Sequence, residues 1–227
     1  GHGGLGQALR VREFRALWIT RVSAASPFTA GCDGVPASGT VYAEAEVEPT
    51  VTINPHDAAN IVAAWQQDRW STGGARGVVA GVSRDGGKTW LQHAMPFSRC
   101  GGGTSGNGGD YERATDPWLS AAGDGTLHQI ALAFSNVQPV SAIVASRSSD
   151  GGATWSATRT LIRDSGDFFN DKCSITADPV SPNYVYAVWD RTIGVSRGPA
   201  EFTRSADDGL TWEAARAIYD PGVNQQT

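Results

Sequence analysis

A chain of 227 residues has room for one all-β domain or two smaller ones, and for a substantial buried core. With 28 Gly, 11 Pro and 8 Trp among 40% hydrophobic residues it reads as compact and turn-rich, with little room for long helices. The net charge of -5 sets aside non-specific binding to nucleic acid or to an anionic membrane surface, and no apolar run approaches the roughly 20 residues that would span a bilayer.

In chain order, the first candidate element is "LGQALRVREFRALWITR", residues 5–21. There Leu5, Leu9, Phe14, Leu17 and Trp18 fit a helical stripe loosely, while "LWITRVS" fits a strand. Residues 1–39 are set apart as an N-terminal segment on that basis. From Glu48 onward a pattern begins that then repeats: "EPTVTINPHDAANIVAAWQQDR", "DPWLSAAGDGTLHQIALAF" from Asp116 and "DKCSITADPVSPNYVYAVWDR" from Asp171. Each copy opens on an acidic residue, runs through a short strand, turns, and climbs a second apolar strand that ends near Trp65, Phe134 or Trp189. A third apolar run follows in each ("GVVAGVS", "SAIVASRS", "EFTRS"), then an octapeptide, then a fourth run ("LQHAMPF", "SATRTLI", "EAARAIY"). The stretch 100–115, "CGGGTSGNGGDYERAT", is polar and glycine-rich and reads as a surface excursion. Of the three cysteines, Cys32 and Cys100 lie in glycine-rich loops where a bridge is easily made, while Cys173 sits in a strand-like run as a small buried apolar residue. Their spacing makes a zinc site improbable.

The octapeptides are "SRDGGKTW" (83–90), "SSDGGATW" (148–155) and "SADDGLTW" (205–212), with their aspartates 65 and 57 residues apart. Asp85, Asp150 and Asp207 are placed to accept hydrogen bonds from the backbone of their own turns. Gly87, Gly152 and Gly209 supply positive φ. Trp90, Trp155 and Trp212 give each unit an apolar wedge against its neighbour. All three roles are structural. Four short strands repeated at this period predict the blades of a β-propeller, each burying its faces against the next. About three to three and a half blades fit within 40–227.

These octapeptides resemble the Asp-box, or bacterial neuraminidase repeat, of the sialidase superfamily. The likeness covers roughly residues 40–227 and implies a six-bladed ring, of which the chain would be a fragment or one half of a two-copy ring. It also implies a secreted, glycan-processing protein. Asp-boxes occur in xyloglucan hydrolases and sorting receptors too, so the resemblance identifies an architecture more than an activity. Sialidases hold the substrate carboxylate with three arginines, the first in an Arg-Ile-Pro stretch on the first inner strand. At the matching place this chain reads "VEPTVTI", so Glu48 stands where that arginine is expected and would repel a carboxylate.

If the octapeptides mark one end of the strands, the starts of first strands and the ends of second strands collect at the other. That end gathers Glu48, Asp116 and the pair Asp171, Lys172, together with Asp68, Arg69, Asp190 and Arg191. The excursion brings Asp110, Tyr111, Glu112 and Arg113 to the same side. Crowded carboxylates raise one another's pKa, which is how a glycoside hydrolase keeps one carboxyl protonated as general acid beside a second one about 5 to 9.5 Å away. Glu48, Asp68, Asp116 and Asp171 are therefore the catalytic candidates. Arg69, Arg113, Arg191, Tyr111 and Trp118 are the candidates for holding substrate. Three functions compete: an extracellular glycan hydrolase, a non-catalytic propeller that binds glycan or protein through Trp65, Trp70, Tyr111 or Trp118, and a Ca²⁺-stabilised ring. No other cofactor is expected, the partner is a glycan or glycoconjugate, and an incomplete ring would self-associate.

Overall fold

The computed structural model describes residues 25–194 and 198–220, and the expected helix or strand at 5–21 lies outside them. The described residues form twelve strands: β1 (Val41–Asn54), β2 (Asp57–Trp70), β3 (Ala75–Ser83), β4 (Leu91–Ala94), β5 (Arg113–Ala121), β6 (Leu127–Ser135), β7 (Val140–Ser148), β8 (Arg159–Ser165), β9 (Phe168–Ala177), β10 (Val185–Ile193), β11 (Ala200–Ser205) and β12 (Arg216–Tyr219). Consecutive strands pair antiparallel in three groups of four: β1 to β4, β5 to β8 and β9 to β12. The first two groups share a single bridge, Ala75 to Ala114, and the third is a separate sheet. The fold is all-β and propeller-like.

The apolar runs explain which strands lie inside. "IVAAW" in β2, "GVVAGVS" in β3 and "IALAF" in β6 are buried on both faces, so they read as continuous apolar segments rather than as alternations. The outermost strands β4 and β12 are four residues long and largely exposed, as suits an edge that must not recruit further strands. Between groups the cores are shared. Val62, Ala64, Val78 and Val82 of the first pack with Leu127, Ala131, Ala142 and Val144 of the second. Ile130, Leu132 and Ile143 of the second pack with Ile175, Val185, Ala187 and Trp189 of the third. Trp65, fully buried, is covered by Phe28 beside the Cys32–Cys100 disulfide, while Cys173 is buried and free.

The octapeptide turns close on themselves in the way their residues suggest. In the first, Asp85 Oδ1 accepts from the Lys88 and Thr89 N–H groups at 2.9 Å each, and its Oδ2 accepts from Thr89 Oγ1 at 2.7 Å. Ser83 Oγ meanwhile donates to Asp85 and accepts from the Gly87 N–H. Asp150 with Thr154 and Ser148, and Asp207 with Thr211 and Ser205, repeat the pattern. The turns also bind the preceding group, which their own sequence does not show. Asn60 Nδ2 donates to the Gly151 carbonyl at 2.9 Å, Arg84 donates to the Asp150 carbonyl, and Arg147 pairs with Asp208. Gly152, at φ +90°, sits so close that a Cβ there would lie 2.8 Å from a Val82 methyl. Trp155 and Trp212 join the two shared cores, while Trp90 packs with the Trp65 cluster.

One expectation about the inner strands needs correcting. Glu48, Asp116 and Asp171 do not open their strands, because β1 begins at Val41, β5 at Arg113 and β9 at Phe168. Each strand instead carries a β-bulge, where pairing skips from Val47 to Thr50, from Thr115 to Trp118 and, on the partner of β9, from Val188 to Asp190. The excursion is correspondingly shorter than 100–115, since Arg113, Ala114 and Thr115 belong to β5 and are buried.

Candidate functional site

The innermost strands β1, β5 and β9 lie side by side, so their bulges meet. Val47, Thr115 and Asp171 are each the last residue paired with the second strand of its own group before the bulge, which makes Glu48, Asp116 and Lys172 the equivalent bulged positions. These three have φ of 53°, 50° and 46°, a left-handed conformation that costs a non-glycine residue about 1 kcal/mol or more and re-aims its side chain. The third copy is thus shifted by one residue from its apparent sequence phase: a lysine, not Asp171, stands level with the two acids. Asp171 stands one position earlier and still reaches the cluster from β9.

Asp116 is the hub. Its side chain hydrogen-bonds to Glu48, to Asp171 and to Lys172 Nζ, the last at 3.2 Å. Lys172 Nζ is also 3.6 Å from Glu48 Oε1, and Gln66 donates to Glu48 Oε2. Burial alone would push the Asp116 carboxyl up, but the bonds from Glu48, Lys172 and Asp171 outweigh it and hold Asp116 below the usual carboxylate range. Its neighbours move the other way. Glu48 is raised, chiefly by the hydrogen bond to Asp116 and then by burial. Asp171 is raised by burial and by the Asp116 charge. An ionised aspartate therefore stands between two carboxyls that keep their protons longer than ordinary ones, with one lysine offsetting the charge. Lys172 is the cation that pairs with Glu48 and Asp116, and no group of three or more His, Cys, Asp or Glu side chains placed to hold a metal ion occurs among the described residues.

Two cavities meet at this cluster, and Glu48, Asp116 and Lys172 line both. One, of about 360 Å³, is bounded by Arg69, Thr72, Asn136, Phe169 and Asp171 and lies toward the β2–β3 and β6–β7 turns, opposite the octapeptide turns. The other, of about 400 Å³, lies further along the inner strands and is walled by Pro49, Thr50, Pro117, Trp118, Cys173 and Ser174.

Of the residues singled out from the sequence, the structure brings together Glu48, Asp116, Asp171, Lys172, Arg69 and Trp118 and holds the others elsewhere. Asp68 is fully buried, accepting from Ser26 Oγ at 2.8 Å and the Glu44 N–H at 2.9 Å and pairing with Arg76 at 3.3 Å. Arg113 is buried over the Trp70 ring at 4.7 Å and donates to Thr72, Gly73 and Ser38. Arg191 forms a two-pronged pair with Asp164 at 2.8 Å and covers Phe168. Tyr111 is buried against Thr160 and Arg163 in a separate cavity. Trp65 and Trp70 are buried and offer no stacking surface. Of the Asp-Arg pairs that end second strands, Asp68 and Arg191 hold strands together through Arg76 and Asp164, while Arg69 lines the cavity and Asp190 is exposed. Gln66 carries no signal of its own in the sequence. The lysine is visible beside Asp171, and only the bulge register reveals which of the two is equivalent to Glu48.

No model of a known protein family and no curated protein sequence matches the chain. Solved structures do. The chain is similar to an α-L-arabinanase of Penicillium chrysogenum complexed with arabinobiose, with 16% identity and a TM-score of 0.57 over 88% of this chain and 55% of that one. It is similar to an α-L-arabinofuranosidase of Fusarium graminearum in complex with an iminosugar inhibitor, at 11% identity and a TM-score of 0.56 over 79% and 50%. A Dyadobacter fermentans protein of unknown function gives 17%, a TM-score of 0.54, and 76% and 50%. The chain therefore spans about half the length of the solved structures it matches. At these identities the likeness establishes the fold.

Proposed function

We propose that this chain is part of a secreted, glycan-hydrolysing β-propeller of the sialidase superfamily, its three four-stranded groups being blades of a six-bladed ring and its octapeptides Asp-boxes. The observation that carries the activity is the bulge cluster, a raised-pKa Glu48 hydrogen-bonded to an ionised Asp116 at the meeting point of two sugar-sized cavities. In this reading Glu48 is the general acid, Asp171 is the second working carboxyl, Asp116 sets both, and Arg69 and Trp118 hold the substrate from the two cavities. The Cys32–Cys100 bridge suits an oxidising, extracellular compartment.

The substrate is a neutral glycan. Arg113 and Arg191 are committed to structural partners, and three carboxyls against one lysine and Arg69 leave no clamp for a sialic acid carboxylate. The arabinobiose held by the Penicillium chrysogenum arabinanase makes arabinosides the first substrates to try. The outer face of β10 and β11, with an exposed Val188 and half-buried Tyr186 and Phe202, occupies positions that the next group covers elsewhere in the chain, so a further blade or a second copy docks there.

A second reading, a glycan-binding propeller without turnover, is favoured by one observation: Trp118 remains 47% exposed in a cavity wall, a surface on which a ligand ring stacks without any bond being cleaved. A panel of fluorogenic neutral glycosides and sialosides tests the choice. Cleavage of a neutral glycoside, with sialosides untouched, is expected. Cleavage of sialosides would overturn the neutral-substrate assignment, and binding on a glycan array without any cleavage would select the second reading.

A further inference from the structure

The two cavities differ in chemistry, and Glu48 stands at their junction. The turn-side cavity offers Arg69, Thr72, Asn136 and Asp171, all groups that hydrogen-bond hydroxyls. The inner cavity adds no charge to the three shared residues. Its walls are the Pro49 and Pro117 rings, Cys173, and Trp118, which remains 47% exposed although it sits on a bulged strand lined by buried neighbours. Leaving so large an indole surface open inside a cavity costs burial energy at every moment the cavity is empty, and the surface suits a flat, apolar ligand.

On the reading that Glu48 is the general acid, the oxygen it protonates must lie beside its carboxyl. The sugar being released then lies on one side of the junction and its leaving group on the other. The hydroxyl-binding groups are all in the turn-side cavity. We infer that the proline–tryptophan cavity is a leaving-group subsite selective for an aromatic aglycone, with Trp118 as its stacking surface and Pro49 and Pro117 as the opposing walls. Thr50 and Ser174 also line it. This assignment rests on the hydrolase reading for its direction, but the subsite itself rests on the cavity walls.

The test uses non-cleavable probes on the whole chain: phenyl and methyl 1-thio-α-L-arabinofuranoside, titrated by calorimetry. The phenyl compound is expected to bind about fivefold to tenfold more tightly, Trp118→Ala to reduce that preference below about twofold, and Trp118→Phe to retain most of it. Melting curves check that both variants fold. Equal affinity for the two probes, binding of neither, or a preference unchanged in Trp118→Ala overturns the subsite. Hydrolysis of the corresponding O-glycosides is scored separately with Glu48→Gln. A Trp118-dependent preference without turnover leaves the subsite standing and removes the hydrolase reading; turnover without that preference does the opposite.

Discussion

The two ends of these four-stranded groups use carboxylates in opposite ways. At the octapeptide turns, Asp85, Asp150 and Asp207 each take three or more hydrogen bonds from residues within four positions, and each is held at about 2. For Asp85 the Thr89 backbone bond leads; for Asp207 it is the Thr211 hydroxyl; for Asp150 the Thr154 and Ser148 bonds overcome a cost of burial. At the bulges, Glu48 and Asp171 meet a third carboxylate brought from another strand, and both are raised. The same side-chain type is fixed in its ionised form where donors are local, and left able to carry a proton where its partners are distant in sequence.

That contrast can be broken by disturbing either end. Trp189→Ala removes a fully packed indole between the second and third groups and should cost about 3 to 5 kcal/mol in denaturant unfolding. Because Asp171 and Lys172 lie on the strand that Trp189 supports, the site should be lost with it. Gly152→Ala places a methyl against Val82 in a left-handed turn and should cost roughly 1 to 3 kcal/mol, without altering the pH behaviour of the site. Acid unfolding reads the turn end itself. The three aspartates titrate near 2 when folded and about 3.9 when unfolded. Their stabilisation is therefore complete above roughly pH 4 and lost as pH falls toward 2, and Asp207→Asn should flatten that loss. The smallest effect is expected from Lys172→Met. Its charge lowers Glu48, so removing it should move the alkaline limb of the pH-rate profile upward while the melting temperature stays nearly unchanged.

The sequence made the fold legible because its signals are local and repeated. Ser83, Asp85, Gly87 and Thr89 close one turn among themselves, and the same letters recur twice. Only half of the site was legible, for a physical reason that particular residues show. Glu48 and Asp116 stand before prolines at matching places, so their equivalence was plain. In the third copy "DKC" offered two charged residues, and choosing between them needed the ladder from Asp171 to Asp190, a pairing across strands. The arginines failed for a related reason. Whether Arg69 faces a cavity while Arg113 and Arg191 are spent depends on Thr72, Ser38 and Asp164, none of which is near its arginine in sequence.

Glu48 carries the central claim, and the pH-rate profile of Glu48→Gln against wild type tests it most directly, with binding of a non-cleavable thioglycoside as the control. Loss of hydrolysis by about 100-fold or more is predicted, with affinity retained and with the wild-type rate falling as pH rises through the raised Glu48 pKa. A variant that hydrolyses at the wild-type rate with the same alkaline limb would contradict it.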